Sequence, residues 1–385
     1  MIKLYILWGC KMSSMQDMIN NAKKRSEEKE KAKDKINNGD NPEIEKYLES
    51  KMINVTVVGT GGAGNNTLNR LLEMNFEKSQ IDFYAMNTDA QDLLTNNADR
   101  KILLGKDITK GLGAGSDPKV GEEAAKSSYT KLKKVFEGKE LVFLTCGLGG
   151  GTGTGSSHII AKAAREAGAL VVGITTVPFS VEGRMRMKNA IYGLKKLEDQ
   201  VDSLILIPND KLLEIAPDIP LAQAFKLADE IIANALKGTI ELILKPGLVN
   251  LDFADMKTVM KDSGLAMIGV GESDSNNRSD EAVDEAINNP LLDIDISGGN
   301  GALINITGDN DLNLDEATGI VKSVSNRLSE EANVIWGAQV DSKLKGKVNV
   351  MVIVTGINRM YIDQFKSMEE ELDKNERELE VEFVD

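Results

Sequence analysis

Histidine is nearly missing from this 385-residue chain: His158 stands alone. A histidine metal cluster is thereby excluded, and a serine–histidine catalytic triad has little to build on. Cysteine is almost as scarce. Cys10 and Cys146 cannot make a disulfide framework, and Cys146 closes an apolar strand-like run, which fits a reducing cytoplasm. No apolar run reaches the roughly 18 residues needed to span a bilayer. The apolar run at residues 2–10 has only Lys3 ahead of it and is too short for a secretion signal, so it reads as an unstructured start or as a start codon upstream of Met12 or Met15. Basic residues are outnumbered. The net charge of -14 argues against a nucleic-acid partner, because phosphate backbones select for clustered Lys and Arg. The acidic excess gathers at the end, with ten acids against three bases in residues 361–385.

Glycine is what the chain has, in two informative places. Gly149, Gly150, Gly151, Thr152, Gly153, Thr154 and Gly155 lie between the apolar run 141–146 and an apolar-periodic segment at 159–167. Such a loop offers successive backbone N–H groups with no Cβ in the way, and the helix behind it adds the positive end of its dipole. The two threonines can donate hydroxyls to phosphate oxygens. Upstream, the β-branched run 53–58 leads into Gly59, Thr60, Gly61, Gly62, Ala63 and Gly64, followed by leucines at helical spacing. Alone this is a G-x-G-x-x-G dinucleotide fingerprint, with Asp89 as the ribose acid. Two phosphate loops around one nucleotide are the more economical reading. The Walker A pattern is absent, so a triphosphate site here is not of the P-loop kind.

Strand-like runs at 55–58, 81–86, 141–146, 170–177 and 204–207 alternate with helical patterns, which calls for a parallel sheet covered on both faces. Ligands in such sheets bind at the carboxyl ends of the strands. An apolar period from 225 to 244 predicts a long helix joining two halves, ended by Pro246 and Gly247. Beyond it, strands are expected at 301–306, 333–340 and 348–354, with a helix at 314–328 and a loop at 275–280. The Lys/Glu-rich residues 1–50 read as a solvated extension.

The residues resemble the tubulin/FtsZ GTPase family closely, and within it the FtsZ branch of prokaryotic cell division, in an archaeal-like form. The signature GGGTG[ST]G is met in full by residues 149–155, and further matches follow in order: 61–66, 87–91, 111–115, 178–186, 208–212 and 250–255. The resemblance implies an α/β fold in which a Rossmann-like parallel-sheet GTPase domain (51–224) is joined by a central helix (225–247) to a smaller α/β assembly domain (248–358), with an acidic tail at 359–385. It also implies a nucleotide site. Gly61, Gly62, Ala63, Gly64 and Asn65 with the 149–154 loop hold phosphates, and Gly111, Gly113, Ala114 and Gly115 approach the γ-phosphate. Glu182 and Arg186 contact ribose and phosphate, Asn209 joins them, Phe225 stacks on the purine, and Asp229 accepts the guanine N1 and N2 hydrogens. The catalytic residues are Asn250, Asp252 and Asp255, acting on the neighbouring subunit's GTP; as N-terminal helix residues, Asp252 or Asp255 could equally serve as caps.

GTP or GDP is the implied nucleotide, with Mg2+ held mainly through phosphates and water and no protein metal cluster. The implied partners are other copies, head to tail, and a membrane-tethering division adaptor of SepF-like kind. The adaptor would dock on the tail, where Leu379, Val381 and Phe383 alternate with acids. The implied location is the cytoplasmic mid-cell ring. Two other readings stay open: a non-hydrolysing division paralogue, and a NAD-dependent oxidoreductase built on the first glycine turn.

Overall fold

The computed structural model describes residues 53–74, 78–215, 220–245, 247–249, 252–289, 291 and 296–357. The 1–50 extension and the 359–385 tail lie outside these residues, as does Asn250. The strands are β1 (Val55–Thr60), β2 (Ile81–Asn87), β3 (Arg100–Leu103), β4 (Leu141–Gly147), β5 (Leu170–Val177), β6 (Ser203–Pro208), β7 (Gly264–Ser273), β8 (Gly301–Gly308), β9 (Asn333–Val340) and β10 (Val348–Thr355). The helices are α1 (Gly61–Glu73), α2 (Ala90–Thr95), α3 (Lys106–Thr109), α4 (Pro118–Ser127), α5 (Tyr129–Phe136), α6 (Thr152–Glu166), α7 (Arg184–Glu198), α8 (Asn209–Ile215), α9 (Leu221–Leu244), α10 (Phe253–Met260), α11 (Arg278–Ile287) and α12 (Leu314–Ser325).

All ten strands join one sheet in the order β3-β2-β1-β4-β5-β6-β7-β10-β8-β9. From β3 to β7 the pairing is parallel; β10 then runs antiparallel to both β7 and β8, and β9 is parallel to β8. Period-two alternation gives the parallel strands two buried faces. Val57, Phe143 and Ile205 pack into one core with Leu68 and Leu71 of α1 and Ile232 and Leu236 of α9. Their neighbours Val58, Leu144 and Leu206 pack into the other with Phe136 of α5, Ile160 of α6 and Leu194 of α7. A third core forms where Val283 and Ala286 of α11 and Ile320 and Val324 of α12 cover β8 and β10. The joint between β6 and β7 is short, running only from Ser203 opposite Gly264 to Ile205 opposite Ala266.

The expected strands and the long helix are present, with α9 starting four residues earlier than its apolar period. The expected loop at 275–280 is shorter than read, because α11 begins at Arg278. β7 escaped the sequence reading because glycines and Ala-Met interrupt its β-branched pattern. One of those glycines is required: a Cβ on Gly271 would lie 2.1 Å from the Ala282 carbonyl, so it lets α11 lie close on the strand.

Candidate nucleotide site

The two glycine turns interlock. Gly61 takes a left-handed φ of +71°, and a Cβ there would come within 2.7 Å of the Gly153 nitrogen. Thr60 Oγ1 and Ser156 Oγ share a buried 2.7 Å hydrogen bond across the same joint. The glycines therefore divide into two kinds. Gly61, Gly64, Gly153 and Gly155 face backbone at distances no side chain tolerates, whereas Gly62 and Gly150 face open space. The second kind, together with Gly153, which packs and also lines, borders a cavity of about 360 Å³ over the carboxyl ends of β1, β4 and β5.

Gly62, Ala63, Gly150, Gly151, Thr152 and Gly153 line one side of this cavity, at the N-termini of α1 and α6. The first N–H groups of a helix lack intrahelical acceptors and sit at the positive dipole end, so this wall suits an anion. Thr152 and Thr154 are not equivalent. Thr152 borders the cavity and bonds Thr88 Oγ1 at 2.6 Å, while Thr154 is buried behind the loop and accepts the Gly149 N–H at 2.8 Å. Of the two threonines expected to donate to phosphate, Thr152 borders the cavity and Thr154 does not. Asn65 is also set back: it is buried and donates to Met86 O and to Asp92.

The turn holding Gly111, Gly113, Ala114 and Gly115 has three left-handed glycines and is tied to the residue just after β2 by the Gly113 N–H to Thr88 O bond of 3.2 Å. It abuts the phosphate loop, since a Cβ on Gly151 would lie 2.9 Å from Ala114 Cβ, but it does not line the cavity. Asp89, the ribose acid of the dinucleotide reading, instead caps α2 by accepting the Gln91 and Asp92 N–H groups. His158 is buried in α6, 3.7 Å from Glu122, and burial lowers its pKa.

At the other end the cavity is lined by Glu182, Arg186, Asn209, Phe225 and Asp229. Glu182 accepts the Phe179 N–H at 2.8 Å and pairs with Arg186, four residues on across Gly183, at 2.5 Å. Phe225 meets Phe179 edge-on, with centroids 5.2 Å apart, and keeps a half-exposed ring. Asn209 is buried, and its Oδ1 has no partner among the described residues. Burial pushes the Asp229 carboxyl up to about 6, against the opposing pull of the Thr67 hydroxyl and Arg70.

Sequence reasoning missed Asn66, Thr67, Thr176, Pro178, Ala228 and Ile232, which also line the cavity. Ala228 and Ile232 were recoverable, because they stand three and seven residues after Phe225 on the same helix face. Asp252 and Asp255 are exposed on α10, which packs on β8 and β9 at the far end of the sheet from the cavity. Asp252 caps α10, accepting the Ala254 N–H at 3.2 Å. The capping role is thus real for Asp252, and neither acid enters this chain's own cavity.

A parallel sheet whose strand ends carry two interlocked glycine turns and a cavity ending in an aromatic ring and a carboxylate defines a nucleotide-binding protein. A profile of the Tubulin/FtsZ family GTPase domain matches residues 54–217, and one of the FtsZ family C-terminal domain matches 264–358. Cell division protein FtsZ 1 of Thermococcus kodakarensis is 54% identical over 83% of this chain and 85% of its own length. Cell division protein FtsZ of Methanothermobacter thermautotrophicus is 51% identical over 89% and 90%. An FtsZ dimer structure from M. jannaschii superposes with a TM-score of 0.78 at 52% identity, covering 82% of this chain and 91% of that one. CetZ2 from Haloferax volcanii, 21% identical with a TM-score of 0.72, shares the fold. The chain belongs to the tubulin/FtsZ GTPase family, in its FtsZ branch.

Proposed function

We propose that this protein is a GTP-dependent, self-assembling filament protein of cell division that hydrolyses GTP to GDP and phosphate between successive subunits. The carrying observation is the separation of its acids. The cavity's own carboxylates, Glu182 and Asp229, are engaged with Arg186 and Thr67 and lie at the ribose and base end. Phosphoryl transfer needs positioned water and charge stabilisation beside the phosphates. Asp252 and Asp255, with Asn250, would supply these from a neighbour. A contact between two different faces of one protein does not close on itself, so it propagates as a filament.

In this reading the GTP phosphates lie on the backbone of residues 150–153 and 62–63, with Thr152 as the hydroxyl donor. The 111–115 turn, resting on Gly151, registers whether the γ-phosphate is present. Glu182, Arg186 and Asn209 hold the ribose side, Phe225 covers the purine, and Asp229 accepts guanine N1–H and N2–H. Adenine lacks those two donors and would leave a buried carboxylate unsatisfied. Mg2+ would enter with the phosphates and their water. Residues 51–224 form the nucleotide domain, 225–247 the connecting helix and 248–358 the assembly domain.

Hydrolysis per molecule is expected to rise with protein concentration and level off as filaments form. A specific activity that stays constant down to concentrations without filaments overturns the shared site. The tail is the proposed docking peptide for a membrane-tethered adaptor at the mid-cell ring. Deletion of residues 379–385 should spare GTP hydrolysis and abolish co-sedimentation with adaptor-bearing liposomes; equal recruitment of both forms would refute the role.

A further inference from the structure

One hydrogen bond in the cavity wall joins two elements at the point where the base is read. Thr67, in the second turn of α1, is 1% exposed, and its Oγ1 donates to Asp229 Oδ1 on α9 at 3.1 Å. Both side chains line the cavity. No second hydrogen bond reaches the Asp229 carboxylate among the described residues. A carboxylate accepts at about four positions, so one bond fixes it while leaving acceptors for a ligand.

Asp229 also borders a second recess of about 390 Å³, whose walls include Asn69, Arg70, Glu73 and Lys226. Two cations, Arg70, which pairs with Glu73 at 3.2 Å, and Lys226, therefore border Asp229 outside the first cavity. A carboxylate free to rotate would be drawn toward them, because an ammonium or guanidinium attracts it more strongly than neutral N–H donors do. Thr67 is the one group that holds it from within the cavity wall.

We propose that Thr67 is the positioning residue of base recognition, pinning one oxygen of Asp229 so that the carboxylate meets guanine N1–H and N2–H instead of turning to Arg70 and Lys226. This rests on the guanine-reading role given to Asp229 above. The charged groups facing Asp229 are Arg70 and Glu73 from α1 and Lys226 from its own helix, with Glu182 and Arg186 also on the cavity wall. The Thr67 bond favours the ionised carboxylate, so its loss should move the acid limit of GTP binding to higher pH.

The test is GTP and ITP affinity from pH 5 to 8 for the full-length protein, measured below the assembly concentration. It compares wild type with Thr67→Val, Thr67→Ser and Asp229→Ala. Thr67→Val should lose roughly tenfold in GTP affinity, the cost of one hydrogen bond to a charged group. ITP, which lacks the 2-amino group, should lose much less, and Thr67→Ser should keep the wild-type GTP/ITP ratio. Thr67→Ala gives the same readout if the valine variant does not fold. An unchanged ratio and pH profile in the valine and alanine variants, with the ratio lost in Asp229→Ala, overturns the role of Thr67 and leaves that of Asp229. Equal loss for both nucleotides with an unchanged pH profile makes Thr67 a packing residue and also overturns the proposal. Full discrimination by Asp229→Ala removes the reading beneath it.

Discussion

Gly61 and Gly153 touch backbone to backbone, so the two nucleotide-binding turns are one rigid assembly. A Cβ on Gly153 would lie 2.6 Å from the Gly147 carbonyl, whereas one on Gly150 meets nothing within 4 Å. Gly153→Ala should cost about 1–3 kcal/mol of stability, the usual penalty of overpacking, and should lose GTP binding with it. Gly150→Ala should melt like wild type and weaken only nucleotide binding. Thermal unfolding with and without GTP separates the two. Equal melting temperatures for both variants would disprove the division between packing and lining glycines.

Asp229 should make GTP binding pH-dependent. Burial raises its carboxyl to about 6, so in the free protein the acid form is favoured below that value, and ionisation costs the unliganded fold stability as pH rises through it. In the proposed reading, the guanine donors need the ionised form. GTP affinity should therefore fall as pH drops through about 6, and Asp229→Asn should flatten that limb. Calorimetric titrations across pH check it, and a limb that persists in the asparagine variant assigns it to another group.

Replacing Asp252 or Asp255 by alanine should abolish GTP turnover while leaving GTP affinity of the monomer within about twofold, because in the proposed shared site each acid serves the next subunit's nucleotide. Phosphate release and nucleotide binding are measured on the same preparation. Loss of monomer affinity would place the residue in its own cavity. Asp252→Ala should also lose roughly 0.5–2 kcal/mol through its cap, and Asp255→Ala should not.

Glu122 of α4 ties its own helix to α7. Burial alone would raise its carboxyl, but hydrogen bonds from Lys126, Lys196 and Tyr192 outweigh it and hold the group at about 2. The stability it contributes is present above the ordinary carboxylate pKa and is lost as pH falls toward 2. Glu122→Gln should be destabilised at neutral pH by about 1–3 kcal/mol, and the gap to wild type should close in acid. Denaturant melts at pH 7 and pH 2.5 test this; a gap independent of pH would mean shape, not charge, is lost.

The parallel half of the sheet and both glycine turns were legible because their signals are local: β-branched runs, and glycines between a strand and a helix. What each glycine does was not legible, since Gly62 and Gly61 are adjacent in sequence yet one faces the cavity and the other faces Gly153. Thr154 shows the same limit, matching the motif while its hydroxyl serves Gly149. Thr67 was invisible because its partner lies 162 positions away. β3 was missed for a different reason: a four-residue edge strand starting Arg-Lys has little burial to leave a pattern.

The short joint between β6 and β7 carries a mechanical meaning. In a head-to-tail filament of the proposed kind, tension between α10 and the glycine turns would be carried by the Ser203–Ile205 ladder, by the contacts of Asp202 and Arg165 with residues 262–264, and by α9. A few ladder bonds make a weak rivet beside a stiff rod of 24 residues. Pulling on such a polymer would load the helix that carries Phe225 and Asp229, so strain along the filament and the proposed grip on the guanine base would share one structural member.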